Sequence, residues 1–182
     1  MGIPTLIKTL TASNDASLSF VDGTADVTLD STYDEYMFVC TDINGSADGS
    51  TFFFQGNVAG GSGYNETITS TVFTAYHDEA DSAAALTYDT GVDQAQGTAF
   101  QHLALVGNGA DESIAGILHL FSPASTTYVT HFYTNFNTLA ADNYSRNYFV
   151  AGYFNLTGAI DEIQFKMSSG NFDGVIQMYG IA

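Results

Sequence analysis

Basic residues are almost missing from this chain: Lys8, Arg146 and Lys166 stand against 20 acids, for a formal net charge of −17. Three cations cannot build a phosphate-binding patch, which excludes nucleic acid as a partner. An anionic lipid surface repels such a chain. Salt bridges must be few, so apolar burial and backbone pairing have to hold the fold. Repulsion among the acids should weaken as salt rises, a property suited to a saline or divalent-rich medium. Cysteine occurs once, at Cys40, so no internal disulfide forms. It lies in the apolar run 37–40 with acids nearby, and reads as a small buried hydrophobe rather than a nucleophile. Tryptophan is absent, which weakens the case for a sugar-stacking platform. No apolar stretch reaches the length of a membrane span, so no membrane insertion is expected. The N-terminus shows no basic segment followed by a long apolar run, as a secretory signal would have.

Aromatic residues are plentiful. The chain holds 14 Phe and 11 Tyr, and 45% of its residues are hydrophobic, which excludes a disordered acidic chain. At 182 residues one domain is the default, able to bury roughly 70% of the surface exposed by the unfolded chain. Short runs rich in Thr, Val, Ile, Phe and Tyr, each bounded by Gly, Asn, Asp, Ser or Pro, recur at 6–10, 17–20, 36–40, 51–55, 67–77, 116–121, 128–133, 148–155, 160–167 and 174–181. In the last two, Ile163, Phe165 and Met167 alternate with Glu162, Gln164 and Lys166, then Ile176 and Met178 with Gln177 and Tyr179. That spacing predicts an antiparallel hairpin with one wet face. Helix signals are confined to 78–86 and 137–143. The stretch 80–112 is too long for a plain loop and should hold a strand or two. The expected fold is all-β: an antiparallel β-sandwich, a jelly roll, with at most one or two short helices. Residues 1–16 form an N-terminal arm or first strand, and residues 17–182 a single β-sandwich domain.

Few constellations point to chemistry. His119 and His131 lie on predicted neighbouring strands but lack the further ligands of a metal site. Asp42, Asn44 and Asp48 place oxygens along 42–50 as in the first half of a calcium loop, yet Phe53 stands where the closing Glu belongs. The same stretch reads more readily as a hairpin turn, so no cofactor is expected beyond calcium in that loop. Residues 77–81 cluster charge after a strand and read as a solvated loop. Residues 60–63 are glycine-rich but lack the Lys and helix of a phosphate loop. No nucleophile elbow, paired catalytic carboxylates or Cys–His pair emerges, so no enzymatic activity is expected. Tyrosines spread among polar residues suit contact surfaces.

Residues 29–38, 61–67, 150–155 and 163–181 resemble a family of small virion-associated structural proteins of tailed, largely marine, bacteriophages. The ending 166–180 is the most specific piece. The resemblance implies a virion component assembled in the host cytoplasm. On that basis the expected role is a capsid decoration (cement) protein, non-enzymatic and homo-oligomeric, as a trimer, because decoration sites commonly lie on capsid three-folds. Its partner would be the major capsid protein or another virion protein. Leu6, Ile7, Tyr128, Tyr133, Tyr148 and Tyr153 are the candidate interface residues. The alternative is a receptor-binding or tail-fibre tip domain gripping host glycans through loops 57–65 and 134–147.

Overall fold

The computed structural model describes residues 2–182, and among them thirteen strands and no helix. In chain order these are β1 (Thr5–Asp15), β2 (Ser17–Val21), β3 (Glu35–Gly45), β4 (Ser50–Val58), β5 (Ile68–Asp78), β6 (Ala84–Tyr88) and β7 (Ala95–Gly97). They continue as β8 (Gln101–Val106), β9 (Ile114–Phe121), β10 (His131–Leu139), β11 (Tyr144–Phe154), β12 (Ile160–Met167) and β13 (Phe172–Ile181). Every pairing is antiparallel.

The strands form a nine-stranded sheet, β1-β13-β3-β9-β10-β11-β5-β6 with β7 also on β5, and a four-stranded sheet, β2-β12-β4-β8. Two sets of four, β1-β13-β3-β9 and β2-β12-β4-β8, reproduce the jelly-roll order, in which the chain winds back and forth between two facing sheets. Two insertions widen one sheet only. β5–β7 enter between β4 and β8, and β10–β11 between β9 and β12; all five join the larger sheet beyond β9.

Alternation carries the packing. Phe20, Phe38, Phe52, Phe54 and Phe165 are fully buried between the sheets. Phe52 stacks on Phe165 with centroids 5.7 Å apart, and Phe20 meets Phe38 edge-on at 5.2 Å. Ion pairing adds little. The three pairs among the described residues are Arg146–Asp142, His119–Glu35 and His77–Asp81, and two of them need a protonated histidine for full charge.

Three expectations about elements are corrected. β12 and β13 do not form a hairpin; they lie in different sheets, and their apolar sides face one another across the core. Period-two alternation is the same whether two strands pair side by side or face each other, so it could not separate the cases. The helix signals at 78–86 and 137–143 belong instead to a turn plus β6, and to the end of β10 with its turn. The alanines of 83–85 are tied by pairing to β5, which overrides helix propensity. Finally, 80–112 holds three strands, β6, β7 and β8.

Candidate interaction surface

The larger sheet has one face on the core and one face open. On β5, β9, β10 and β11 even-numbered side chains are mostly buried and odd-numbered ones mostly face outward. Strand register assembles the outward side chains into rows. One row runs Glu35, Phe121, His131, Tyr153, Thr69. The next runs Leu6, Tyr179, Met37, His119, Tyr133, Ala151, Thr71. The third runs Gln177, Val39, Ile117, Asn135, Phe149, Phe73, Tyr88. In a chain of net charge −17, these three rows contain one acid, Glu35, and its carboxylate meets His119 Nδ1. Apart from Asp42, at a bulge within β3, the other acids sit at or near strand ends, in loops or on the smaller sheet.

The face is ordered by stacked rings. His119 lies on Tyr133 with centroids 4.5 Å apart and planes 15° from parallel, and Phe121 continues the stack 5.8 Å from Tyr133. Phe73 stacks on Phe149 at 4.8 Å while 41% exposed. Such cross-strand pairs stiffen a sheet and leave flat apolar area facing solvent. Two shallow grooves cross it. One of about 480 Å³ runs over Ala115 and Gly116 between Ile117, His119, Tyr133 and Asn135. On the inner side of the same strand Gly116 makes room for the buried Phe136, since a Cβ there would strike Asn135 O and the Phe136 ring. The other, about 290 Å³, lies among Thr69, Thr71, His131 and Tyr153. Flat apolar surface with stacked Tyr, His and Phe suits docking of a protein face.

Of the residues expected at an interface, Leu6, Tyr133 and Tyr153 share this face. Tyr128 is 76% exposed on the 122–130 loop, beside Tyr33 and Asp34. Ile7 is half-buried and packs on the core. Tyr148 is a correction: it is 5% exposed and points inward on β11, where its ring lies 5.0 Å from that of His102. One step along a strand reverses the face, so Tyr148 and Phe149 exchange the roles read for tyrosine and phenylalanine.

The calcium reading is also corrected. Asp42 and Asn44 lie within β3, and only Asp48 lies in the 46–49 turn. Asp42 sits at a bulge with a left-handed φ of 51°. Asn44 donates through Nδ2 to the carbonyls of Gly109 and Glu112, tying down the 107–113 loop. Among the described residues no three His, Cys, Asp or Glu side chains group as metal ligands. His119 and His131 do share the outer face on paired strands, but His119 lies opposite Tyr133 and His131 opposite Phe121. In the 77–81 cluster, Asp78 is mostly buried and accepts bonds from Ser82 and Ala83, which pull its carboxyl below the usual range. Cys40 is buried, and burial pushes its thiol far up. Residues 134–139 and 144–147, expected as a glycan-gripping loop, are mainly strand.

Sequence reasoning missed the polar layer beneath the widened sheet. Gln55 Nε2 donates to the carbonyls of Glu66 and Ala99, both at 3.0 Å. Ser70 Oγ donates to Gln101 Oε1 at 2.7 Å and accepts from the Gln94 N–H at 2.9 Å. These bonds hold segment 89–100 against the sheet. The concentration of Gln at 94, 96 and 101 was the available signal.

No family model matches the chain, and no curated protein matches it. A solved structure from Bacteroides ovatus, described as a structural genomics protein of unknown function, resembles 77% of this chain at 8% identity with a TM-score of 0.22. The match covers 47% of that protein, so this chain spans about half its length.

Proposed function

We propose that this chain is a non-enzymatic bacteriophage virion protein, a decoration protein that clamps neighbouring capsid subunits. The observation that carries the reading is the outer face of the larger sheet: aromatic, nearly free of acids, and embedded in an otherwise strongly acidic molecule. From β13 to β6 it spans six inter-strand spacings, roughly 30 Å, and its three rows extend roughly 15–20 Å along the strands. That footprint approaches one partner's share of a standard interface, about 800 Å². Laid on capsid subunits, the face removes apolar area from water while the acidic rim stays wet. The four segments that resemble phage virion proteins support the same reading. A trimer about a capsid three-fold axis belongs to the proposal, with neighbouring acidic copies kept compatible by salt or bound cations.

Purified particles provide the test. The chain should be stoichiometric with the major capsid protein and should leave particles dialysed into dilute chelating buffer. A Tyr133→Asp variant, folded by its melting curve, should occupy depleted particles at least tenfold less than the parent. Tail-like copy number, or full occupancy by Tyr133→Asp, would overturn the reading.

A further inference from the structure

A flat sheet edge presents N–H and C=O groups that lack a strand partner, and the four edges here differ in how they manage this. β1 begins just after Pro4 and is broken by two register shifts. β8 is buried almost throughout. β2 is half-covered along most of its length. β6 has none of these protections. Its pairing with β5 runs from Tyr88 opposite Phe73 to Ala84 opposite His77 without a bulge. Four of its five residues are exposed, Leu86 to 69% and Tyr88 to 53%, and none is charged.

The hydrogen bonds at its two ends set the phase of the strand. The Asp78 N–H donates to the Ala83 carbonyl at 3.0 Å, and the Asp89 N–H to the Val72 carbonyl at 2.9 Å. In an antiparallel ladder the inward-bonded residues alternate. Ala83, Ala85, Thr87 and Asp89 therefore turn their backbone groups toward β5, and Ala84, Leu86 and Tyr88 turn theirs to the open side. That is a ready template for one more strand.

Charge selects what kind of strand fits. Glu79 and Asp81 precede β6, and Asp89 and Asp93 follow it. A second copy of the chain has little to offer them, because it has only three Lys and Arg side chains and each already has a partner. Lys8 Nζ donates to the Ala25 carbonyl at 2.6 Å, Lys166 Nζ sits 4.1 Å from the Phe100 ring centre, and Arg146 is paired with Asp142. Two β6 edges in antiparallel register would also set these acids against one another. We propose that β6 is a docking edge for an extended segment of a different protein, apolar or β-branched in its middle and carrying Lys or Arg at both ends. The segment adds a tenth strand to the nine-stranded sheet. Backbone bonds to Ala84, Leu86 and Tyr88 hold it, the side chains of Leu86 and Tyr88 flank its alternate residues, and the end acids take its cations. This edge borders the outer face of the decoration reading and shares Tyr88 with it, but a strand held by the backbone of β6 and a face centred on Tyr133 can each fail without the other.

The probe is a fluorescent nine-residue peptide of alternating Val and Thr with two Lys at each end. Controls carry Glu at the ends, or Pro at the centre. Anisotropy with the full chain at low salt should show saturable binding of the Lys-ended peptide, at least tenfold weaker binding of both controls, and at least tenfold weaker binding to Leu86→Pro. Proline at position 86 removes an outward N–H and leaves the bonds to β5 in place. Should that variant fail to fold, amide exchange in the parent decides: the peptide should slow exchange at Ala84, Leu86 and Tyr88. Equal binding by parent and Leu86→Pro, equal binding of Glu-ended peptide, no saturable binding, or no slowing of exchange would each overturn the proposal. So would sedimentation showing that the parent pairs with itself while Leu86→Pro stays monomeric.

Discussion

Tyr148 and Tyr133 stand on paired strands, one turned into the core and the other out to solvent. Their truncation should separate stability from binding. Tyr148→Ala opens a hole beside His102, and we expect it to cost about 3 kcal/mol in chemical denaturation. Tyr133→Ala should cost no more than about 1 kcal/mol, because its ring is 46% exposed. His102 adds a pH dependence. Its ring is 8% exposed and its Nδ1 has no partner, and burial lowers its pKa from 6.5 to about 4, against a smaller opposing pull from Asp89. The folded state therefore favours the neutral ring. The stability this contributes is complete above pH 6.5 and is lost as pH falls from there through about 4. The loss amounts to something on the order of 3 kcal/mol. Denaturation midpoints of His102→Gln should fall less steeply than those of the parent between pH 6.5 and 4.5. Parallel slopes would show that another group titrates.

Among elements, the 107–113 loop depends on one side chain from β3. Asn44 holds two of its carbonyls, so Asn44→Ala should cost about 1–3 kcal/mol and raise amide exchange in that loop, with added calcium making no difference. The same residue shows what could and could not be seen beforehand. Strand runs such as 36–40, 67–77 and 160–167 were legible because β-branched and aromatic residues alternate there, and the two-sheet class followed from their number and spacing. Pairing was not legible. Ile163, Phe165, Ile176 and Met178 alternate identically in a hairpin and in two facing sheets, and the sandwich uses the second arrangement. The interaction face was read only in part, at Leu6, Tyr133 and Tyr153. Placing Met37, Ile117, His119 and Phe73 beside them needs the register of six further pairings, which no single strand encodes.

Taken whole, the molecule is strongly acidic everywhere but on one apolar face. The 20 acids lie mostly in loops and at strand ends, with three engaged cations to offset them. The melting temperature should therefore climb as NaCl rises from a few millimolar toward 0.5 M, since the Debye length shrinks from about 30 Å at 10 mM to a few ångström. Calcium and magnesium at matched ionic strength should act alike. A larger rise with calcium would point to a bound ion. The register of the larger sheet carries one more consequence. Thr5 lies opposite Gly180, and β13 is the strand between β1 and β3. β1 and β3 can each complete that side of their pairing only with a strand from the far end of the fold. Closing this seam joins residues widely separated in sequence, and such long-range pairing slows folding.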